Sequence, residues 1–284
     1  TLLAENIVQR DLYVTPAYIE DSSKTILTLS NLLDMPYELL EENFSRGAKK
    51  VKKFDSFPLV KALNEEQIAK AKVNLDSISG IEVKATLKRY VLHEETSAHI
   101  IGYVGDVSSD EIRRDKLLAE LQNIQIGKIG IEKEFDFSLR GKPGVQTQER
   151  DVKGKLVRVL DTQGAEDGKD IYLTIDQELQ DHLFKLFKNR RGALVALEPK
   201  TGFVRALISS PSYNPNILNS IVDANEVKGL FSNKESPIFN RAISGQYPPA
   251  STLKPFIGLA AIENGVISWD KKIKDDGKFY VEGD

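Results

Sequence analysis

Two short apolar runs limit the fold most: residues 192–198 (GALVALE) and 203–209 (FVRALIS), joined by Pro199-Lys200-Thr201-Gly202. Runs this short, rich in aliphatic side chains and bounded by turn formers, predict two strands of an antiparallel hairpin. Residues 7–15 and 80–87 alternate in polarity and predict two more strands. Between these runs apolar residues recur at helical spacing. Residues 22–46 predict two helices, with Ser23 as a candidate cap and Pro36 near the second start. Asn64 is placed to cap a third helix, and Ser108-Ser109-Asp110-Glu111 opens a fourth with acids in its first turn. Residues 127–144 predict one helix bracketed by glycines and carrying Ile131, Phe135 and Leu139, and residues 145–160 a hairpin turning at 153–155. Antiparallel strands in blocks between helices give an α+β protein.

At 284 residues the chain is long enough for two folding units. Residues 161–169 lack apolar periodicity, so the expected division is 1–168 and 169–284, with a helical subdomain at about 22–125. After it, 170–174 predicts a strand, and Asp176 caps a helix whose Leu179, Leu183, Leu186 and Phe187 share one face. Net charge is −3, which disfavours nucleic acid as a partner. With no cysteine, disulfides, thiolate metal sites and a cysteine nucleophile are excluded. The three histidines, His93, His99 and His182, lie too far apart in sequence to suggest a metal site; Asp275 and Asp276 would need partners beyond residue 284. No apolar run reaches membrane-spanning length, and both ends fall in sequence that reads as cuts through a longer protein.

The chemical centre is the string from Gly245 to Phe256, GQYPPASTLKPF. Two prolines force an extended approach, and Ser251 falls where a helix begins. Lys254, three residues on, shares its face. A serine hydroxyl is a weak nucleophile until a base takes its proton, and a lysine of depressed pKa can do so. A helix start also offers unpaired N–H groups to a developing oxyanion. The spacing alone equally describes a serine cap followed by an exposed lysine.

The surrounding sequence decides between these readings. The hairpin with Pro199-Lys200-Thr201-Gly202, then Pro211-Ser212-Tyr213-Asn214-Pro215-Asn216, Asn240-Arg241-Ala242 and Tyr247-Pro248-Pro249 before Ser251, resembles the transpeptidase lead-in of penicillin-binding proteins. Leu3-Ala4-Glu5-Asn6, Gly102-Tyr103-Val104, residues 127–132 (GKIGIE) and 139–144 (LRGKPG) resemble the non-catalytic pedestal of class B members, of the elongation type. The resemblance covers almost the whole chain. It implies a pedestal of dimerisation type followed by part of a transpeptidase domain, with Ser251 as nucleophile and Lys254 as acylation base. The implied reaction crosslinks peptidoglycan stem peptides ending in D-Ala-D-Ala through an acyl-serine, without cofactor or metal, and β-lactams would acylate the same serine. Implied partners are an elongation glycosyltransferase and a morphogenetic protein that contacts the pedestal. The implied location is the periplasm, on a single-pass inner-membrane anchor preceding Thr1. The S-x-N and K-T-G elements of such enzymes do not follow Lys254 in this chain, so these 284 residues alone are expected to be inactive. A septal enzyme, a β-lactam-sensing or β-lactam-hydrolysing protein, and a purely scaffolding pedestal remain open alternatives.

Overall fold

Strand β1 (Ala4–Val14) is the spine of the first half, because both of its edges are paired. In this computed structural model, all residues are described except 75–77, 120, 122–123, 152–155, 188–189, 221–223, 273, 275–276 and 278–284. A short 3₁₀ turn, Pro16–Tyr18, leads to α1 (Ser22–Leu33). Its cap is Asp21, whose carboxylate accepts from Lys24 N–H at 3.0 Å, rather than Ser23; the helix starts two residues earlier than a Ser23 cap would place it. Next come α2 (Tyr37–Ala48), with Pro36 at its cap, and β2 (Phe57–Val60). Asn64 caps α3 (Glu65–Asn74) as expected, accepting from Gln67 N–H at 2.8 Å while Gln67 Oε1 accepts from Asn64 N–H at 3.1 Å.

β3 (Ile81–Val91) closes an antiparallel sheet of order β2-β1-β3, in which Leu12 faces Val60 on one side and Val83 on the other. That end of the sheet is the core: Leu12, Val14, Phe57, Leu59 and Ile81 pack with Ile26, Leu29, Leu33 and Leu40 of the helices. Burial of each such side chain stabilises by about 1.5–3 kcal/mol. One carboxylate lies beside it. Asp11 is 3% exposed, and its oxygens accept from Ala62 N–H, Gln9 Nε2 and the Thr86 hydroxyl at 2.8, 2.9 and 2.7 Å, so the buried charge is fully hydrogen-bonded.

At the other end of the ribbon follow α4 (Glu94–Ile101), β4 (Val104–Asp106), α5 (Ser109–Arg114), a 3₁₀ turn Lys116–Ala119, and β5 (Gln125–Gly127), which pairs with β4. The single helix expected over 127–144 is two, α6 (Gly130–Glu134) and α7 (Asp136–Arg140). Phe135 leaves helical geometry between them, and Asp136 turns back to accept from Gly127 N–H at 2.9 Å. Gly127 is compulsory there, since a Cβ would sit 1.9 Å from the Glu132 carbonyl oxygen.

Strands β6 (Val145–Arg150) and β7 (Leu156–Gln163) form the expected hairpin; the turn proposed at 153–155 lies outside the described residues. Residues 170–174 do not form the expected strand. The segment meets its neighbour through the Thr174 hydroxyl on Val204 O and Asp176 N–H on Arg205 O, at 2.9 Å each, which is short of a ladder. In α8 (Gln177–Phe187) Asp176 caps as expected, but the buried residues are Gln177 and Gln180, with the leucine face partly or wholly exposed. The hairpin read first from the sequence is β8 (Gly192–Leu197) with β9 (Val204–Ser210). Then come α9 (Pro215–Ser220), α10 (Ala224–Ser232) and α11 (Arg241–Ser244). Thr1–Ser244 is one compact unit and Gly245–Asp284, carrying α12 (Lys254–Glu263), is a second.

Within the first unit, side-chain amides join the later elements to the earlier ones. Asn216 accepts from Val91 N–H and donates to Val91 O, at 2.9 Å each, capping the exposed edge of β3 as a further strand would. Asn219 bridges Val104 N–H and Arg89 O at 2.9 and 3.1 Å. Gln180 is fully buried and donates to Thr96 O and Leu207 O at 2.7 Å each, while accepting from Leu207 N–H at 2.8 Å. Beside them Tyr213, Ala98 and Leu218 form a second apolar core.

Candidate active site

The approach to Ser251 starts at Arg241, which is 3% exposed although charged. Its guanidinium donates to the carbonyls of Glu235, Ser236 and Phe239 at 2.5, 3.1 and 3.3 Å, gathering loop 233–240 around itself. Asn240 caps α11, its Oδ1 accepting from Ala242 and Ile243 N–H at 3.1 and 3.3 Å. The motif Asn240-Arg241-Ala242 therefore builds a loop and a cap.

In the second unit, residues 245–249 have no regular structure, as two consecutive prolines require. Ala250–Leu253 is a 3₁₀ turn in which Thr252 N–H bonds Pro249 O at 3.1 Å, and the Thr252 hydroxyl bonds the same carbonyl. Ala250 has φ 46°, left-handed for a residue with a Cβ. That conformation costs about 1–2 kcal/mol and is characteristic of functional turns. Ser251 follows directly. Lys254 N–H donates to Ser251 O, so the turn runs straight into α12, and Pro255 occupies its first turn, where a missing N–H is harmless. The helix stops where Gly265, at φ 69°, takes over, as the sequence predicts.

Ser251 and Lys254 thus lie one turn apart at the start of a single helix, both exposed. Among the described residues no hydrogen bond joins the two side chains. The helix behind them, KPFIGLAAIE, buries none of its side chains, and Phe256 and Ile257 stand 68% and 63% exposed. A helix this apolar ordinarily lies inside a domain. Among the described residues no group of histidine and carboxylate side chains could hold a metal, and Asp275 and Asp276 lie outside them.

His99 is packed rather than poised. Its ring lies edge-on to Tyr213 at 5.4 Å, and neither nitrogen has a hydrogen-bond partner among the described residues. Burial pushes its pKa down to about 4, with the nearby Arg241 charge acting the same way. The carbonyls of Pro211 and Pro237 lean in the opposite sense without reaching hydrogen-bond geometry. The residues that sequence reasoning missed are Gln180, Asn216 and Asn219. For the two asparagines the signal was their recurrence at three-residue spacing in Pro215-Asn216-Ile217-Leu218-Asn219, where turn chemistry was the simpler explanation.

Residues 1–173 match the Penicillin-binding Protein dimerisation domain, and residues 192–284 the Penicillin binding protein transpeptidase domain. The chain belongs to the penicillin-binding proteins. Its fold is a dimerisation domain followed by the start of a transpeptidase domain, in mixed helix and sheet. Among curated proteins, it is similar to the peptidoglycan D,D-transpeptidases MrdA of Haemophilus influenzae and Acinetobacter baumannii. It is 36% and 34% identical to these over 99% and 100% of its length, covering 44% and 42% of theirs. The Escherichia coli K12 MrdA is 32% identical over 99% of this chain and 45% of its own. The chain therefore spans less than half the length of these relatives. Among solved structures, the fold matches the complex between penicillin-binding protein PBP2 and MreC from Helicobacter pylori. The TM-score is 0.79 at 23% identity, over 97% of this chain and 51% of that one. Among the described residues no helix of this penicillin-binding protein is long and apolar enough to cross a membrane.

Proposed function

We propose that this chain is part of a peptidoglycan D,D-transpeptidase of cell elongation, with Ser251 as its acylated nucleophile and Lys254 as the base. The supporting observation is the placement of Ser251 on a strained turn, one helical turn from Lys254, inside the stretch that matches the transpeptidase family. The three relatives named as D,D-transpeptidases favour the same reading. Residues 1–168 would be the pedestal and 169–284 the start of the catalytic domain.

In the intact enzyme the Ser251 hydroxyl attacks the carbonyl of the penultimate D-alanine of a stem peptide, its proton passing to the Lys254 amine. The amide bond to the terminal D-alanine breaks, and that residue leaves with the proton. An amine of a neighbouring stem then attacks the acyl-serine ester, forming the crosslink and restoring Ser251. A β-lactam enters at the same carbonyl position and stays as the ester. No cofactor takes part. Chain beyond Asp284 would cover α12 and supply the S-x-N and K-T-G groups. The protein would work in the periplasm, held at the inner membrane.

The Helicobacter pylori neighbour, solved with MreC, supports a morphogenetic partner for the pedestal. A groove of about 1200 Å³ suits such a partner, with apolar Leu39, Val51, Leu87, Ile112, Leu118 and Ile124 in its lining. An elongation glycosyltransferase would be the second partner.

The test is acylation by a fluorescent penicillin. The full-length protein should label rapidly, and Ser251→Ala should abolish labelling. Lys254→Met should slow it by about 10²-fold or more, the range for losing a general base. The 284 residues alone should label slowly. Unchanged labelling of full-length Ser251→Ala would sink the assignment, and rapid Ser251-dependent labelling of the 284 residues would overturn their predicted inactivity.

A further inference from the structure

The turn after α2 carries a feature that acyl transfer does not use. Lys49, Lys50, Lys52 and Lys53 are all exposed within five residues. Among the described residues none of the four is in an ion pair. Asp55 is the one carboxylate from residue 47 to 56, and Glu42 is engaged with Arg46 at 2.5 Å. The turn is held in place from within: Lys50 N–H donates to Gly47 O, and Asp55 N–H to Lys52 O, at 2.9 Å each. It is also held from outside, because Ala17 N–H donates to Lys53 O at 2.9 Å, tying it to the Pro16–Tyr18 turn.

That tie sets two aromatic rings among the lysines. Tyr18 and Phe54 lie edge to face, 6.2 Å apart, and are 43% and 36% exposed. Four ammonium groups repel one another, and two exposed rings lose hydrophobic stabilisation, so the combination costs stability in water. A soluble polyanion would balance the lysines and leave the rings wet. An anionic bilayer answers both, with phosphates for the ammonium groups and the headgroup–acyl boundary for the rings. We propose that this basic aromatic turn is a peripheral contact for anionic phospholipid, docking this end of the β2-β1-β3 sheet on a membrane surface. The proposal is independent of the Ser251 chemistry.

The test is flotation of the 284-residue chain with vesicles of about 30 mol % phosphatidylglycerol in phosphatidylcholine, against phosphatidylcholine alone. Binding should need the anionic lipid. It should fall by roughly a thousandfold when Lys49, Lys50, Lys52 and Lys53 are all changed to Gln, and persist when they are changed to Arg. About 0.5 M salt should weaken the wild type strongly. Tyr18→Ser with Phe54→Ser should cost about tenfold at either salt concentration, because that loss is apolar. Circular dichroism of each variant confirms that the fold is kept. Equal binding to both vesicle types, or wild-type binding by the four-Gln variant, would overturn the proposal. So would retention on isolated peptidoglycan without binding to anionic vesicles, which would assign the patch to the wall polymer.

Discussion

His99 makes stability depend on pH in a calculable way. Burial between α4 and Tyr213 lowers its pKa from 6.5 to about 4. The unfolded chain therefore takes up a proton near pH 6.5 that the folded chain refuses until about pH 4. The stabilisation of the neutral ring is fully present above pH 6.5 and is lost as pH falls towards 4. A gap of about 2.5 between the two values corresponds to about 3 kcal/mol, and about 2 kcal/mol of it disappears between pH 6.5 and 5, before most carboxylates titrate. Burial holds the Tyr213 hydroxyl neutral far above this range, so the ring facing His99 does not titrate there. His99→Phe keeps an aromatic ring against Tyr213 and removes the titration. Urea unfolding at pH 7, 6 and 5 should show a steep loss for the wild type, and a shallower one for the variant by about 2 kcal/mol over that interval. Parallel curves, or an NMR titration of His99 centred above pH 6, would refute the reasoning.

Other substitutions test the remaining supports. Asn216→Leu leaves both Val91 backbone groups unpaired in a buried setting and should cost about 2–3 kcal/mol, read as a thermal midpoint lowered by roughly 5 °C. Glu132→Ala strands Arg89, now bonded to it at 2.6 Å, and should cost about 3 kcal/mol; Arg89→Met with Glu132→Leu should recover much of that loss. Gly102→Ala places a Cβ 2.0 Å from the Ile129 carbonyl oxygen at φ 86°, and soluble yield should collapse. Ser108→Ala removes the capping box of α5 and should cost about 1 kcal/mol in denaturant unfolding.

What could be read from the sequence was local. The hairpin of β8 and β9, the Asn64 cap and the Gly265 stop each depend on a few adjacent residues, and each appears where expected. The misses depend on distant partners. Asp21 displaces Ser23 as a cap by two residues, a choice both side chains could make chemically. Phe135 breaks a helix because Asp136 is drawn to Gly127, nine residues back. In α8 the leucine stripe was legible, yet the buried contacts within the first unit are made by Gln177 and Gln180.

The last of these misses bears on how the domains work together. In α8 the glutamine side chains carry the contacts within the first unit, while the leucine face beside them is left partly or wholly exposed. Gln180 is bonded to both Thr96, in the stretch matching the dimerisation domain, and Leu207, in the stretch matching the transpeptidase domain. A buried amide with three fixed bonds tolerates little sliding, because any slip leaves a carbonyl or N–H unpaired at about 1–3 kcal/mol each. Asn216 and Asn219 repeat the arrangement on β3 and β4. Displacement of β3 or β4 is thereby resisted at α9, where each amide keeps both of its bonds or breaks them.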